Sequence, residues 1–444
     1  MSSTSGAVVM PEPPPGRRRA LVALFVTVLL DLLGFGMILP LLPFYAQTLG
    51  ASVVQIGVLF ATFSLTQFFC APAIGWLSDR FGRRPVLLAS IAGGLGSYLL
   101  MAAAPGLGRW SYAALLAARL GAGATAANFS VAPAYIADIL PPAERTRGMG
   151  VLGAAFGLGF VLGPAIGGGL GLWGHTAVAL GAAALAAINL ALAAAWLPET
   201  LPESRGAARG GFRIIPGTAR GAGHRRAVGG LVLLFFLTTF CFSLMESTLA
   251  LFAQARFGFG QRQTSWLFVL IGVVLVTIQG GAVGRLSRRF GERRLFLGGV
   301  ALLALSLAAL PEPARLPGFA GVACLLAVGI ALANPSAMAL LSRVAAVDSQ
   351  GATMGISHSV GSLARVVGPL AGTWLFAHAG PAWPFRAGGA LMAASLALGV
   401  VVMGWIAAAT RTAASEGGAV TGAAATGSAA AGHAEPAGGA IEPR

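Results

Sequence analysis

A chain of 444 residues that is 56% hydrophobic and only 10% charged falls far below the charged fraction of soluble domains, which excludes a water-soluble globular protein and leaves a polytopic membrane protein. Its 29 basic residues are all arginine and outnumber the acidic ones by 15, but they gather in the termini and alternate loops, so topology explains the excess and nucleic acid does not. Cys70, Cys241 and Cys324 lie singly in apolar runs and read as small core residues, not as disulfide or metal partners.

Residues 1–19 are Ser/Pro-rich, end in Arg17-Arg18-Arg19 and read as a disordered N-terminus. The apolar run Ala20–Gln47 is too long for a signal peptide, and Asp31, Pro40 and Pro43 interrupt it, so it reads as an uncleaved first helix. Further spans are predicted over 54–77, 86–104, 110–137, 148–171 and 175–197, each near the roughly 20 residues a bilayer requires. A basic, Gly-rich linker at 198–227 separates them from six more spans at 228–254, 264–285, 294–310, 318–342, 351–377 and 384–408. The Ala/Gly-rich tail, 411–444, reads as unstructured. The expected fold is therefore all-α, with twelve transmembrane helices in two halves, 20–197 and 228–410.

Of the 29 arginines, 22 fall in the termini and the even-numbered loops, which predicts that both ends are cytoplasmic. The halves are repeats. Gly75-Trp-Leu-Ser-Asp-Arg-Phe-Gly-Arg-Arg84 recurs as Gly284-Arg-Leu-Ser-Arg-Arg-Phe-Gly-Glu-Arg293, with Arg288 in place of Asp79. Met149-Gly150 and Gly163-Pro164-x-x-Gly167 recur as Met354-Gly355 and Gly368-Pro369-x-x-Gly372. Parallel repeats about an axis along the membrane normal carry out alternating access in many transporters, with cargo held where the repeats meet.

Few polar residues interrupt the spans. Asp31 lies about twelve residues past Arg19, roughly 18 Å along a helix, near the middle of a ~30 Å core. A carboxylate there must line a wet cavity, pair with a cation or hold a proton. Arg119, predicted at similar depth, is always charged and is positioned to modulate Asp31. Counting from Arg226 puts Glu246 near the outer end of span 7, and Arg365 falls in the outer half of span 11; the two read either as a gate or as a second protonatable site, with a water-facing glutamate the alternative. His358 in span 11 reads as a titratable group or a hydrogen-bonded core residue. Gln67, Asn128, Gln279 and Asn334, among Phe, Leu and Met, are the candidate cargo contacts and suit large amphipathic solutes. Gly159, Gly163, Gly167 and Gly171, with Pro164 among them, form a bare ridge on span 5, predicted to be the surface on which the halves slide. No nucleotide-binding loop, metal spacing or nucleophile constellation is present, so no cofactor is expected and an enzyme is not. The expected partners are a small-molecule cargo, protons and the bilayer, with the monomer as working unit.

With these residues in view, the chain resembles the major facilitator superfamily, and within it the tetracycline-efflux branch of drug:proton antiporters. The Gly75–Arg84 loop, Arg119-x-x-x-Gly123, Gly159–Gly169 with Pro164, and Asp31-x-x-Gly34-x-Gly36-x-x-x-Pro40-x-x-Pro43 carry the likeness over residues 20–410. It implies proton-coupled export across a bacterial inner membrane, a proton-relay role for Arg119, and an ion-pair latch of Asp79, Arg83 and Asp138, with Asp79 facing the start of helix 11 in the outward-open state. Spans 3 and 9 carry no carboxylate and span 8 no histidine, departures that leave the cargo unnamed. An uptake permease and a non-transporting receptor on the same fold are the rival readings.

Overall fold

The computed structural model of the chain describes residues 17–126, 130–141, 144–200, 222–344 and 350–430. Helices follow the apolar runs and break where the sequence removes a donor or a Cβ. α1 (Arg17–Ile38) stops before Pro40, and α2 (Leu42–Thr48) restarts with a proline in its first turn, where a missing N–H costs nothing. The single first helix expected over 20–47 is thus divided. α3 (Val53–Phe81) begins on a reciprocal cap between Ser52 and Gln55 and ends at Gly82, whose φ of +103° favours a residue without a Cβ. α4 (Arg83–Ala103) turns back through a short 3-10 stretch into α5 (Ser111–Ala124), and α6 (Val131–Ile139) follows, so the fourth span is divided too. α7 (Arg145–Leu170) and α8 (His175–Trp196) end the first half.

The second half runs through α9 (Ala222–Phe257), α10 (Gln261–Thr277), a π-helical turn at Ile278–Ala282, α11 (Val283–Phe290) and α12 (Glu292–Ala309). It closes with α13 (Leu316–Val344), α14 (Gln350–His378) and α15 (Trp383–Ala430). Among the described residues, ten stretches are long and apolar enough to cross a bilayer. One of these, Arg83–Ala124, holds two crossings, α4 and α5, lying side by side. α12 is not among the ten because it opens on Glu292, Arg293 and Arg294, yet it packs between α13 and α15 as a further crossing. Twelve crossings in two halves of six result.

The ends differ from expectation. Arg17–Arg19 form the first turn of α1, α9 begins inside the predicted linker, and α15 continues past residue 410 to Ala430. Alanine, the strongest helix former, is frequent there and carries the helix beyond its apolar part. The rest of the three segments predicted as disordered or linker, 1–16, 201–221 and 431–444, lies outside the described residues, as does Asn128.

Packing repeats between the halves: α1 lies against α7 and α8, as α9 lies against α14 and α15. The halves meet along α3–α14 and α7–α10. The second seam is antiparallel and keeps one register, in which Gly171 meets Gln261, Gly168 meets Ser265, Phe160 meets Gly272 and Gly157 meets Val276. The next pair in that register, Gly153 and Gly280, faces open space on both sides. The α7–α10 seam is thus packed at the end away from the two loop motifs and open at Gly153 and Gly280, toward the end that carries them.

Candidate cargo and proton site

Where α1, α3, α5, α7, α9 and α14 converge they leave a cavity of about 270 Å³. Its wall is largely aromatic, built from Phe35, Phe60, Phe63, Phe156, Phe160 and Phe242. Phe35 packs between Phe63 (ring centroids 5.3 Å apart) and Phe160 (6.4 Å), so the three rings form one surface. Into this surface project Arg119, Glu246, Arg365, Gln67, Ser64 and Ser243.

Arg119 is buried on α5, its Nε donating to the Leu59 carbonyl at 3.4 Å and its guanidinium lying over the Phe63 ring at 4.6 Å. Carbonyl and ring face together replace part of the hydration lost on burial. Arg365 on α14 donates to Ser362 Oγ at 3.1 Å. The carboxylate of Glu246 interacts electrostatically with both arginines, and all three residues line the cavity. Two fixed positive charges thus flank one group whose charge can change. Gln67 is buried, and its amide nitrogen has no partner among the described residues, leaving a donor for whatever fills the space.

This arrangement corrects the depths read from sequence. Glu246 and Arg365, placed toward the outer ends of their spans, both line the central cavity. α9 starts at Ala222, ahead of the exposed Arg225 and Arg226, so residues counted from that pair do not measure depth from the membrane surface. Asp31 is half-buried on α1 and is not among the cavity-lining residues. Its charge acts on Tyr98 of α4, and so does that of Arg119, so the tyrosine is a neighbour that the two groups share. The Tyr98 hydroxyl also touches the bare face of Gly34, one turn along from Asp31.

Of the three predicted amides among the described residues, Gln67 alone lines the cavity. Gln279 is exposed on the π-helical turn and Asn334 is half-buried beside Pro335 on α13; neither lines it. His358 is exposed two turns before Arg365, whose charge acts on it. The glycine ridge is also corrected. Gly159, Gly163 and Gly167 press on Leu32, Gly36 and Met37 of α1 in the same half, and Gly368 and Gly372 repeat this against Phe240 and Leu244 of α9. The surface between the halves is a different face of α7, bearing Gly157 and Gly168; of the predicted ridge, Gly171, just past the end of α7, meets the other half at Gln261. At 3.6 residues per turn, rows four apart drift around the helix, so glycines on one α7 helix serve two neighbours.

At the loop-motif end, Asp79, Arg83 and Asp138 come together. Arg83 is buried, with Nη1 2.5 Å from Asp79 and 2.6 Å from Ser78 Oγ, and Nε 3.0 Å from Asp138. Sequence reasoning missed Glu199, whose two carboxylate oxygens accept the backbone N–H groups of Arg83 (2.9 Å) and Arg84 (3.1 Å) at the start of α4. A negative cap on a helix N-terminus is stabilising, and Gly82 lets it approach, since a Cβ there would collide with Glu199. Only the position of this acid just after span 6 hints at the contact.

Fold and cavity together are those of a carrier that crosses the membrane many times and encloses a cavity where two like halves meet. The chain belongs to the major facilitator superfamily, whose family model matches residues 24–310 and 280–425. It is 35% identical over 368 residues to the tetracycline resistance protein, class C, of Escherichia coli, covering 82% of this chain and 91% of that one. It is 34% identical over 435 residues to the human major facilitator superfamily domain-containing protein 10, covering 84% and 92%. The crystal structure of the human organic anion transporter MFSD10 (TETRAN) superposes with a TM-score of 0.66 at 30% identity, over 87% of this chain and 100% of that one. The nucleoside transporter NupG gives 0.70 at 13% identity, a likeness of fold alone. The protein is a multi-pass membrane transporter of small molecules similar to the tetracycline resistance proteins, and not an enzyme.

Proposed function

We propose that this protein exports amphipathic, drug-like molecules in exchange for protons, with Glu246 as the group that carries the proton. The observation that carries the reading is the single carboxylate set between two guanidiniums in an aromatic cavity at the junction of the halves. A cargo bearing both a donor and an acceptor would place its acceptor on Arg119 or Arg365, its donor on the Glu246 carboxylate and its apolar body on the phenylalanines. Protonating Glu246 removes the acceptor and releases the cargo, so proton and cargo compete, which is the condition for exchange. The excess of arginine at the loop-motif end supports a cytoplasmic position for it, in a bacterial inner membrane.

The extra positive charge of the lining favours a second reading, and the human relative described as an organic anion transporter agrees with it. A purely anionic cargo would bind better once Glu246 is neutral, because both arginines are then free for it. Proton and anion would then travel together, as in an uptake permease. Proteoliposomes with an imposed pH gradient separate the two, using matched fluorescent cargoes that are anionic, neutral and zwitterionic. Exchange predicts accumulation on the acidic side; cotransport predicts accumulation on the alkaline side. Glu246→Gln is expected to lose gradient-driven accumulation by at least about tenfold, the loss that one unmade charge contact of about 1.4 kcal/mol would produce, while cargo–cargo counterflow continues. Undiminished gradient-driven transport in that variant would remove Glu246 from the coupling step.

A further inference from the structure

The two loop motifs differ in the sign of their charges at two positions, and a third reversal lies at the end of the neighbouring crossing. Advancing 209 residues turns Asp79 into Arg288 and Arg83 into Glu292, and the 205-residue offset of the Met-Gly and Gly-Pro motifs turns Asp138 into Arg343. The structure makes the corresponding contact. In the first half the enclosed Arg83 binds Asp138 at the end of α6, and in the second half the equally enclosed Glu292 binds Nη2 of Arg343 at the end of α13, at 2.8 Å. Each tethers the helix after the loop to the neighbouring crossing of its own half.

One element of the correspondence is missing in this conformation. Arg83 also holds Asp79, one turn back on α3. The second carboxylate oxygen of Glu292, by contrast, is buried with no partner among the described residues, and Arg288, one turn back on α11, is exposed. A buried oxygen without a donor is unfavourable, so any conformation that brings it a donor gains stability. Arg288 occupies the position that reaches it, four residues earlier across Gly291. α11 also has the means to move: it is joined to α10 by the π-helical turn that contains Gly280 and Gly281, an irregular turn of the kind that marks hinges. That turn lies where the α7–α10 seam comes apart.

We propose that Arg288, Glu292 and Arg343 form a second latch, a charge-reversed copy of the first, and that Arg288 moves onto the free oxygen of Glu292 when the loop-motif end closes. Arg343 then holds the second half together in both states, and Arg288 selects the closed one.

The test uses full-length protein in nanodiscs with Cys70, Cys241 and Cys324 changed to serine and one cysteine introduced by Gly280→Cys, which closure would bury against Gly153. The rate of labelling by a hydrophilic maleimide reports opening and needs no cargo. Arg288→Gln is expected to raise that rate about fivefold, the equivalent of about 1 kcal/mol for one ion pair. Arg343→Gln should lower the thermal midpoint without altering the labelling rate relative to its parent. The triple exchange Arg288→Asp, Glu292→Arg, Arg343→Asp, which gives the second half the signs of the first, should return labelling to the parental rate. Parental labelling in Arg288→Gln, or a triple exchange that labels like Glu292→Arg alone, would overturn the proposal.

Discussion

A guanidinium keeps its charge at any accessible pH, so Arg119 and Arg365 are fixed points of the site, and Glu246 is the member of that cavity cluster whose state can change. The geometry around Arg119 further limits what can replace it. Its planar head lies on Phe63 and reaches the Leu59 carbonyl, contacts that a compact ammonium on a flexible stem does not reproduce together. Arg119→Lys is therefore expected to reduce proteoliposome flux about tenfold despite conserving charge, and a flux within twofold of wild type would show that only the charge matters. Asp31 stands apart from the cavity near Tyr98. Asp31→Asn is predicted to slow gradient-driven transport while keeping it measurable, in contrast to Glu246→Gln; equal losses in the two variants would place both acids on one proton path. Arg119, Arg365, Glu246 and Asp31 all stand out in the sequence because charged side chains in apolar spans are costly. Which of them share a cavity was not legible, since counting residues from a loop measures helix length and not depth.

Within elements, small residues decide how closely the helices approach. A Cβ on Gly163 would lie 2.8 Å from the backbone of Gly36, and backbone cannot yield as a flexible side chain can, whereas Gly153 opens on empty space. Gly163→Leu is expected to prevent or strongly destabilise the α1–α7 contact, visible as loss of a monodisperse peak in gel filtration, while Gly150→Ala, also in open space, leaves the peak unchanged. The reverse pattern would mean that the ridge packs elsewhere. Sequence repetition of the Gly-Pro motif correctly marked a tight helix contact on each half. It could not say that the partner is α1 and not the opposite half, because a glycine states only that space is short and never who fills it. Glu199 makes a related point: nothing in its local pattern announces that it caps a helix more than a hundred residues away.

At the scale of the molecule, the two halves touch along two seams, of which α7–α10 is packed at one end and open at Gly153 and Gly280 toward the other. The α7–α10 register fixes where a covalent clamp should act: a methyl at Gly168 would meet the Ser265 Cβ, close enough for a disulfide after small backbone adjustment. Oxidising a Gly168→Cys/Ser265→Cys pair is expected to hold this end shut and cut transport at least about tenfold, with thiol reductant restoring it. Unimpaired transport in the oxidised, cross-linked protein would mean that this seam does not open during the cycle. The same register predicts that the opposite state zips Gly280 onto Gly153, so the two ends need not be reshaped, only rocked.

The sequence by itself determined the number of crossings, the duplication and the polar residues that interrupt hydrocarbon. Those follow from one-dimensional quantities: the length of chain a bilayer demands, the cost of a bare charge, and the recurrence of a motif at a fixed offset. Tertiary structure alone decided that Glu246 sits with Arg119 and Arg365, that Asp31 lies off the cavity near Tyr98, and that Glu292 binds Arg343 as Arg83 binds Asp138. These depend on how each helix is rotated and how far it is displaced along the bundle axis, and close packing against neighbours sets both. A hydropathy pattern can place a residue in the membrane; only its neighbours can say what it faces.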